Sequence, residues 1–174
     1  MASEYLRGTF LQPIDRRRLG AARQFVKLVD GKFGHRLELD EGQLYIKITP
    51  GPEASVDGIL KIREMARAVA LGFSAEQAMA LENDEYILAV VDLKEYTDKP
   101  NHLRRIKGRI IGEGGRAKRT IESLAEVSMV VGDNYVAILG RLDDVEVAKR
   151  AVEMLIEGKK HSTVYNFIQS LKRR

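Results

Sequence analysis

An α+β fold in two similar halves, each a three-stranded antiparallel sheet backed by helices, is what this 174-residue chain predicts. Three observations lead there. Apolar–polar alternation on either side of turn residues marks a hairpin in each half. The first joins residues 37–39 to 44–48 around Asp40-Glu41-Gly42, the second 127–131 to 135–139 around Gly132-Asp133-Asn134. Apolar residues at helical spacing flank both hairpins. The halves also align: setting Gly20 on Gly115 matches Ala22 with Ala117, Arg23 with Lys118 and Val26 with Ile121. That pattern predicts an internal duplication with a boundary near 82–85, giving domains 1–84 and 85–174.

Residues 9–11 predict a short strand ended at or just before Pro13. The run Asp15-Arg16-Arg17-Arg18-Leu19-Gly20 leads into a helix with Phe25, Leu28 and Val29 on one face, closed by Gly31 and Gly34. Asp15 reads as a local capping residue, and the three arginines as an exposed basic run. After the hairpin and the breaker Thr49-Pro50-Gly51-Pro52, the residues Ile59, Ile62, Met65, Ala66 and Val69 predict a strongly amphipathic helix ended by Gly72. Ser74 is placed to cap a shorter helix over 75–81.

The second half begins with a β-branched strand over 86–93. Leu103, Ile106 and Ile110 then share one helical face, and a second helix starts near Gly115. Beyond the second hairpin, Val145, Ala148, Val152 and Leu155 mark a helix stopping near Gly158. A last helix over 162–171 carries Val164, Phe167, Ile168 and Leu171 on one side and ends in Lys172-Arg173-Arg174, cations suited to a helix C-terminus.

Between the two helices of the second half lies Gly112-Glu113-Gly114-Gly115. Glycine admits backbone angles closed to other residues and permits close backbone approach. The helix that follows points free N–H groups and the positive end of its dipole into the loop, where a phosphate is the natural occupant. No Gly-Lys-Ser/Thr follows, which excludes a nucleotide P-loop. No strand runs straight into the glycines, so the dinucleotide fingerprint fits badly. Helix, glycine loop, helix is instead the order of a KH module, whose Gly-X-X-Gly loop clamps about four nucleotides of RNA backbone.

Charge points the same way. Residues 1–92 hold 12 Lys/Arg against 14 Asp/Glu, whereas residues 93–174 hold 17 against 11. Seven cations, Arg104, Arg105, Lys107, Arg109, Arg116, Lys118 and Arg119, cluster about the loop with one acid, Glu113. A basic half of this kind suits a polyanion. The aromatic content of 6% argues against an RNA reader that works by base stacking.

The chain has no cysteine and three scattered histidines, which excludes disulfides and thiolate metal sites and makes a histidine-rich metal site improbable. No acid/base pair or nucleophile–base set is recognisable, so no enzyme and no cofactor are expected. Residues 1–7 lack the apolar core of a signal peptide, and no apolar run has spanning length. A cytoplasmic protein without a membrane partner is therefore expected.

On residues 103–106, Lys107-Gly108-Arg109-Ile110-Ile111-Gly112, Gly114-Gly115-Arg116, Thr120-Ile121-Glu122 and Gly158-Lys159-Lys160-His161-Ser162-Thr163-Val164-Tyr165, the chain resembles the archaeal KH proteins related to the eukaryotic small-subunit assembly factor "partner of Nob". The resemblance implies two tandem type I KH modules (βααββα). It implies single-stranded RNA as partner, specifically the 3′ region of small-subunit rRNA during ribosome assembly, without enzymatic activity. An assembly nuclease or a translation initiation factor would be its protein partner. Carried over residue by residue, the clamp would be Gly112, Glu113, Gly114 and Gly115 with Arg116, Lys118 and Arg119 nearby. The walls of the groove would be aliphatic, from Ile110, Ile111, Ile121 and Val130. Two departures stand out. Arg17 occupies the place of the opening glycine in the first half, so that loop is expected to be degenerate. Glu113 sets a negative charge beside the phosphate site. The competing expectation is a scaffold for assembly or translation factors with little RNA binding of its own.

Overall fold

A computed structural model describes residues 8–173; the leader reading of residues 1–7 and Arg174 of the basic tail fall outside them. The chain divides into two compact units, Met1–Asn83 and Asp84–Arg174.

In the first unit β1 (Phe10–Pro13) leads through a single 3-10 turn, Arg16–Arg18, into α1 (Leu19–Val29). The hairpin β2 (Arg36–Asp40) and β3 (Tyr45–Thr49) follows, then α2 (Val56–Leu71) and the short α3 (Ala75–Met79). The sheet runs β1-β3-β2, all antiparallel, with Leu37 opposite Ile48 and Leu39 opposite Ile46. Strand β1 runs through Pro13, opposite Tyr45, and ends there. It is an edge strand, where proline is tolerated. Asp15 caps the 3-10 turn by accepting a hydrogen bond from the Arg17 N–H at 2.9 Å. Ser74 and Gln77 form a reciprocal capping box at α3. Gly72 ends α2 at φ +124°, and Gly31 follows α1 at φ +82°. The core gathers Phe25, Ile46, Ile48, Ile62, Met65 and Phe73.

Two expectations fail in this unit. Leu28 is 43% exposed, because the buried seam of α1 runs through Ala22, Phe25 and Val29 and leaves Leu28 beside it. The order βααββα is also not met, since only the 3-10 turn stands where a first helix would be. Arg17 lies in that turn, and Gly20 is an ordinary residue of α1 without a positive φ.

The second unit reads β4 (Tyr86–Asp92), α4 (Pro100–Ile111), α5 (Arg116–Ala125), β5 (Ser128–Val131), β6 (Tyr135–Arg141), α6 (Leu142–Ile156) and α7 (His161–Lys172). That is the βααββα order followed by one further helix. Its sheet, β4-β6-β5, is antiparallel and repeats the strand order of the first unit. Pro100 stands at the start of α4, where its missing N–H costs nothing. Ile106, Ile110, Ile121, Ile138, Val152 and Leu155 form the centre of one core. Helix α7 lies against α5 and α6 with Val164 and Ile168 fully buried. Leu171, expected on that face, is 38% exposed, because it sits in the last turn beyond the buried pair. Lys172 fastens the same end to Asp144 at 2.6 Å and to Glu126 at 3.5 Å. These carboxylates raise the pKa of the Lys172 ammonium, the hydrogen bond to Asp144 first among the causes.

Candidate nucleic-acid interface

The loop between α4 and α5 is shaped by three glycines at positive φ: Gly112 at +75°, Gly114 at +61° and Gly115 at +79°. They are not equivalent. At Gly112, with ψ 173°, a Cβ would lie 2.6 Å from both the backbone nitrogen and the Cβ of Ala117. The chain leaves α4 hard against the first turn of α5, and only glycine fits. At Gly114 a Cβ would meet nothing within 4 Å, so its opening faces free space. At Gly115 a Cβ would lie 2.9 Å from the Arg119 guanidinium.

Hydrogen bonds hold the loop in this form. The Gly112 N–H closes α4 on the Gly108 carbonyl at 2.8 Å, and the Gly115 N–H donates to the Gly112 carbonyl at 3.2 Å. Arg119 reaches back from α5 and donates to the Gly114 carbonyl at 2.7 Å. The N-terminus of α5 has no side-chain cap and no acid in its first turn. Its free N–H groups and dipole therefore point into the loop, an arrangement made for an anion.

The seven cations divide by what they touch. Arg104, Arg105 and Arg116 are exposed, and their guanidinium groups make no hydrogen bond or ion pair with any described residue. The other four are engaged. Lys107 donates to the Asp133 carbonyl in the β5–β6 turn at 3.0 Å. Arg109 donates to the Lys159 carbonyl. Lys118 pairs with Glu122 at 2.5 Å, and Arg119 braces the loop. Glu113 is exposed at the loop tip and pairs with no described cation.

The aliphatic walls need correction. Ile110 and Ile121 are fully buried in the core, because the apolar faces of α4 and α5 that place them are the faces packed on the sheet. Ile111 is half-buried at the end of α4 beside the loop, whereas Val130, also half-buried, alternates on β5 with the core-packed Met129 and Val131 and so lies on the other face of the sheet. The connection Lys159-Lys160-His161 leads from α6 into α7. It is tied to the last turn of α4: the Arg109 guanidinium binds the Lys159 carbonyl, and the His161 Nε2 lies 2.8 Å from the Arg109 carbonyl.

A glycine loop between two helices, laid over a three-stranded antiparallel sheet and bordered by unengaged arginines, defines a nucleic-acid-binding module of the KH type. A family model described as a eukaryotic type KH-domain (KH-domain type I) matches residues 87–173. The chain belongs to the RNA-binding PNO1/Dim2 family, which includes pre-rRNA-processing proteins and archaeal KH proteins. It is 39% identical over 144 residues to a KH domain-containing protein of Methanocaldococcus jannaschii, covering 82% of this chain and 63% of that protein. It is 35% identical to the pre-rRNA-processing protein pno1 of Schizosaccharomyces pombe, covering 68% of this chain and 48% of the other. The chain thus matches less than two thirds of the length of each of these curated relatives. A chain in the crystal structure of an a/eIF2alpha–aDim2p–rRNA complex from Pyrococcus horikoshii superposes with a TM-score of 0.84 at 28% identity, covering 98% of this chain and 97% of that one.

Proposed function

We propose that the second unit clamps single-stranded RNA, and that the RNA is the 3′ region of small-subunit rRNA during ribosome assembly or pre-rRNA processing. One observation carries the reading: the loop at 112–115 is glycine-shaped, braced from within by Arg119, and open to solvent at Gly114. The clamp is Gly112, Glu113, Gly114 and Gly115. Arg104, Arg105 and Arg116 supply phosphate contacts, while Lys107, Arg109, Lys118 and Arg119 hold the frame. Ile111 offers apolar contact for bases. The protein acts as a binding partner and performs no catalysis itself.

The shared strand order of the two sheets supports a tandem of KH modules, residues 1–84 and 85–174, the first reduced at its helix–loop–helix. A cytoplasmic setting accords with the family's role, and no helix among the described residues is long and apolar enough to cross a membrane. The a/eIF2alpha–aDim2p–rRNA complex named for the Pyrococcus structure supports a translation initiation factor as protein partner, with an assembly nuclease as the alternative.

The test is crosslinking of the full chain to RNA of the 3′-terminal small-subunit sequence, with scrambled RNA as competitor. Crosslinks should fall within residues 104–131 and resist the scrambled competitor. Crosslinks confined to residues 8–83 would overturn the assignment, and so would equal competition by scrambled RNA for the named sequence.

A further inference from the structure

Arg109 and His161 are separated by 52 residues, yet each is joined to the other's segment by a hydrogen bond. The Arg109 guanidinium donates to the Lys159 carbonyl, and His161 Nε2 donates to the Arg109 carbonyl at 2.8 Å. Between these two attachments sit Lys159 and Lys160, both exposed, whose ammonium groups make no hydrogen bond or ion pair with any described residue. Gly158, at φ +95°, turns the chain out of α6, and a Cβ there would lie 3.7 Å from the Arg109 guanidinium. The joint is therefore a strapped segment with its lysines directed to solvent. Arg109 itself lies in the last turn of α4, three residues before Gly112.

The arrangement has a chemical consequence. Arg109 spends its guanidinium on a carbonyl, which removes one cation from the border of the glycine loop and sets two others beside it. A loop that clamps about four nucleotides leaves a longer strand to continue past its rim. A phosphodiester leaving the loop along the last turn of α4 would meet Lys159 and Lys160. Neither lysine has an acidic partner to satisfy first, and an ammonium on a flexible stem suits a point contact with phosphate.

We infer that the strapped joint at 158–161 is a second phosphate-binding arm that engages single-stranded RNA beyond the nucleotides held in the glycine loop. This rests on the loop being the clamp. Arg109 and His161 act as positioning residues, fixing the joint to α4, and the two lysines make the contact.

The full chain is titrated with mixed-sequence single-stranded RNA pools of about four and about twelve nucleotides, at several salt concentrations. Changing Lys159 and Lys160 together to Ala should weaken the longer RNA far more than the shorter. Each phosphate contact on a single strand contributes a slope of about −0.7 in log affinity against log salt. Loss of two contacts should make the slope for the longer RNA shallower by about 1.4. The advantage of the parent over the variant should then shrink about seven-fold between 50 and 200 mM salt. Changing His161 to Ala keeps both lysines but releases the strap, and should reproduce part of the same length-dependent loss.

Parental affinity and slope for the longer RNA in the double variant would overturn the arm. An equal loss on both lengths would overturn it too, since that indicates a general charge effect. A His161→Ala variant equal to the parent would remove the positioning role. A Gly114→Asp variant measured alongside isolates the underlying reading. If it binds the short RNA normally, the glycine loop is not the clamp, whatever the lysines do.

Discussion

Substituting the glycines of the loop one at a time separates its shape from its contact with RNA. Gly112→Ala places a methyl group 2.6 Å from the Ala117 nitrogen, in a backbone conformation (φ +75°, ψ 173°) that is essentially reserved for glycine. Such a conformation costs about 1–3 kcal/mol for another residue, and the overlap adds roughly 1–3 kcal/mol more as α5 shifts to relieve it. A loss of about 3 kcal/mol in a unit of this size corresponds to a melting temperature lower by roughly 12–24 °C. Gly114→Asp is different. Its φ of +61° and ψ of 21° lie in the left-handed region, which costs roughly 1–2 kcal/mol and is least unfavourable for Asn and Asp. Nothing lies within 4 Å of the new Cβ, so no packing is disturbed. The carboxylate would stand at the opening of the loop, opposed to the phosphate backbone. Gly114→Asp should therefore melt only about 4–8 °C below the parent, at the low end of that cost, yet lose RNA binding, whereas Gly112→Ala should lose stability first. Thermal melting by circular dichroism and titration with single-stranded RNA report the two quantities separately. Parental stability in Gly112→Ala would show that the close approach to α5 is not needed. Parental RNA affinity in a folded Gly114→Asp protein would remove the loop from the binding site.

Three further outcomes follow from named contacts. If Arg104, Arg105 and Arg116 are the cations that meet phosphate, the salt slope for a short single-stranded RNA should be about −2, and Arg116→Ala should make it shallower by about 0.7; a slope near zero would favour the scaffold reading. Arg119→Ala frees the Gly114 carbonyl and should lower RNA affinity with a smaller change of slope than Arg116→Ala, since Arg119 acts through the loop; equal slope changes would make Arg119 a direct contact. In the first unit His35 is 1% exposed, its ring nitrogens find no hydrogen-bond partner among the described residues, and burial lowers its pKa. Its neutral form is favoured in the folded state, so its contribution to stability is intact above the unfolded value near 6.5 and is lost as pH falls from there toward the folded pKa. The loss approaches about 1.4 kcal/mol per pH unit within that window. Denaturant unfolding from pH 8 to 5 should show the slope in the parent and not in His35→Leu; the same slope in both would assign it to other groups.

The parts of this protein legible in its sequence are those specified by neighbours along the chain. The hairpin around Asp40-Glu41-Gly42, the cap at Ser74, the capping role of Asp15 and the order helix–glycine loop–helix each depend on residues a few positions apart. The alternation of the strands and the spacing of Ile106 and Ile110 carried the sheets and helices in the same way. Spacing identifies which residues share a face but not how far that face stays covered. For this reason Leu28 and Leu171 fell outside the buried seams, and Ile110 and Ile121 belonged to the core and not to a groove wall.

The cations illustrate the limit more sharply. By sequence the seven basic residues around the loop are equivalent, since each is a long cationic side chain on a basic helical segment. What distinguishes them is the partner each one finds, and some of those partners are remote. Lys107 is satisfied by a carbonyl 26 residues away and Arg109 by one 50 residues away. Where the partner is local, as for Lys118 with Glu122 at i,i+4, the pairing was in principle readable from spacing alone. Remote carbonyl acceptors leave no such mark, because every residue offers one. Under the proposed function, the charge available to RNA is what remains after the fold has taken its share. On this chain that leaves Arg104, Arg105 and Arg116 at the loop, and Lys159 and Lys160 on the joint that Arg109 holds in place.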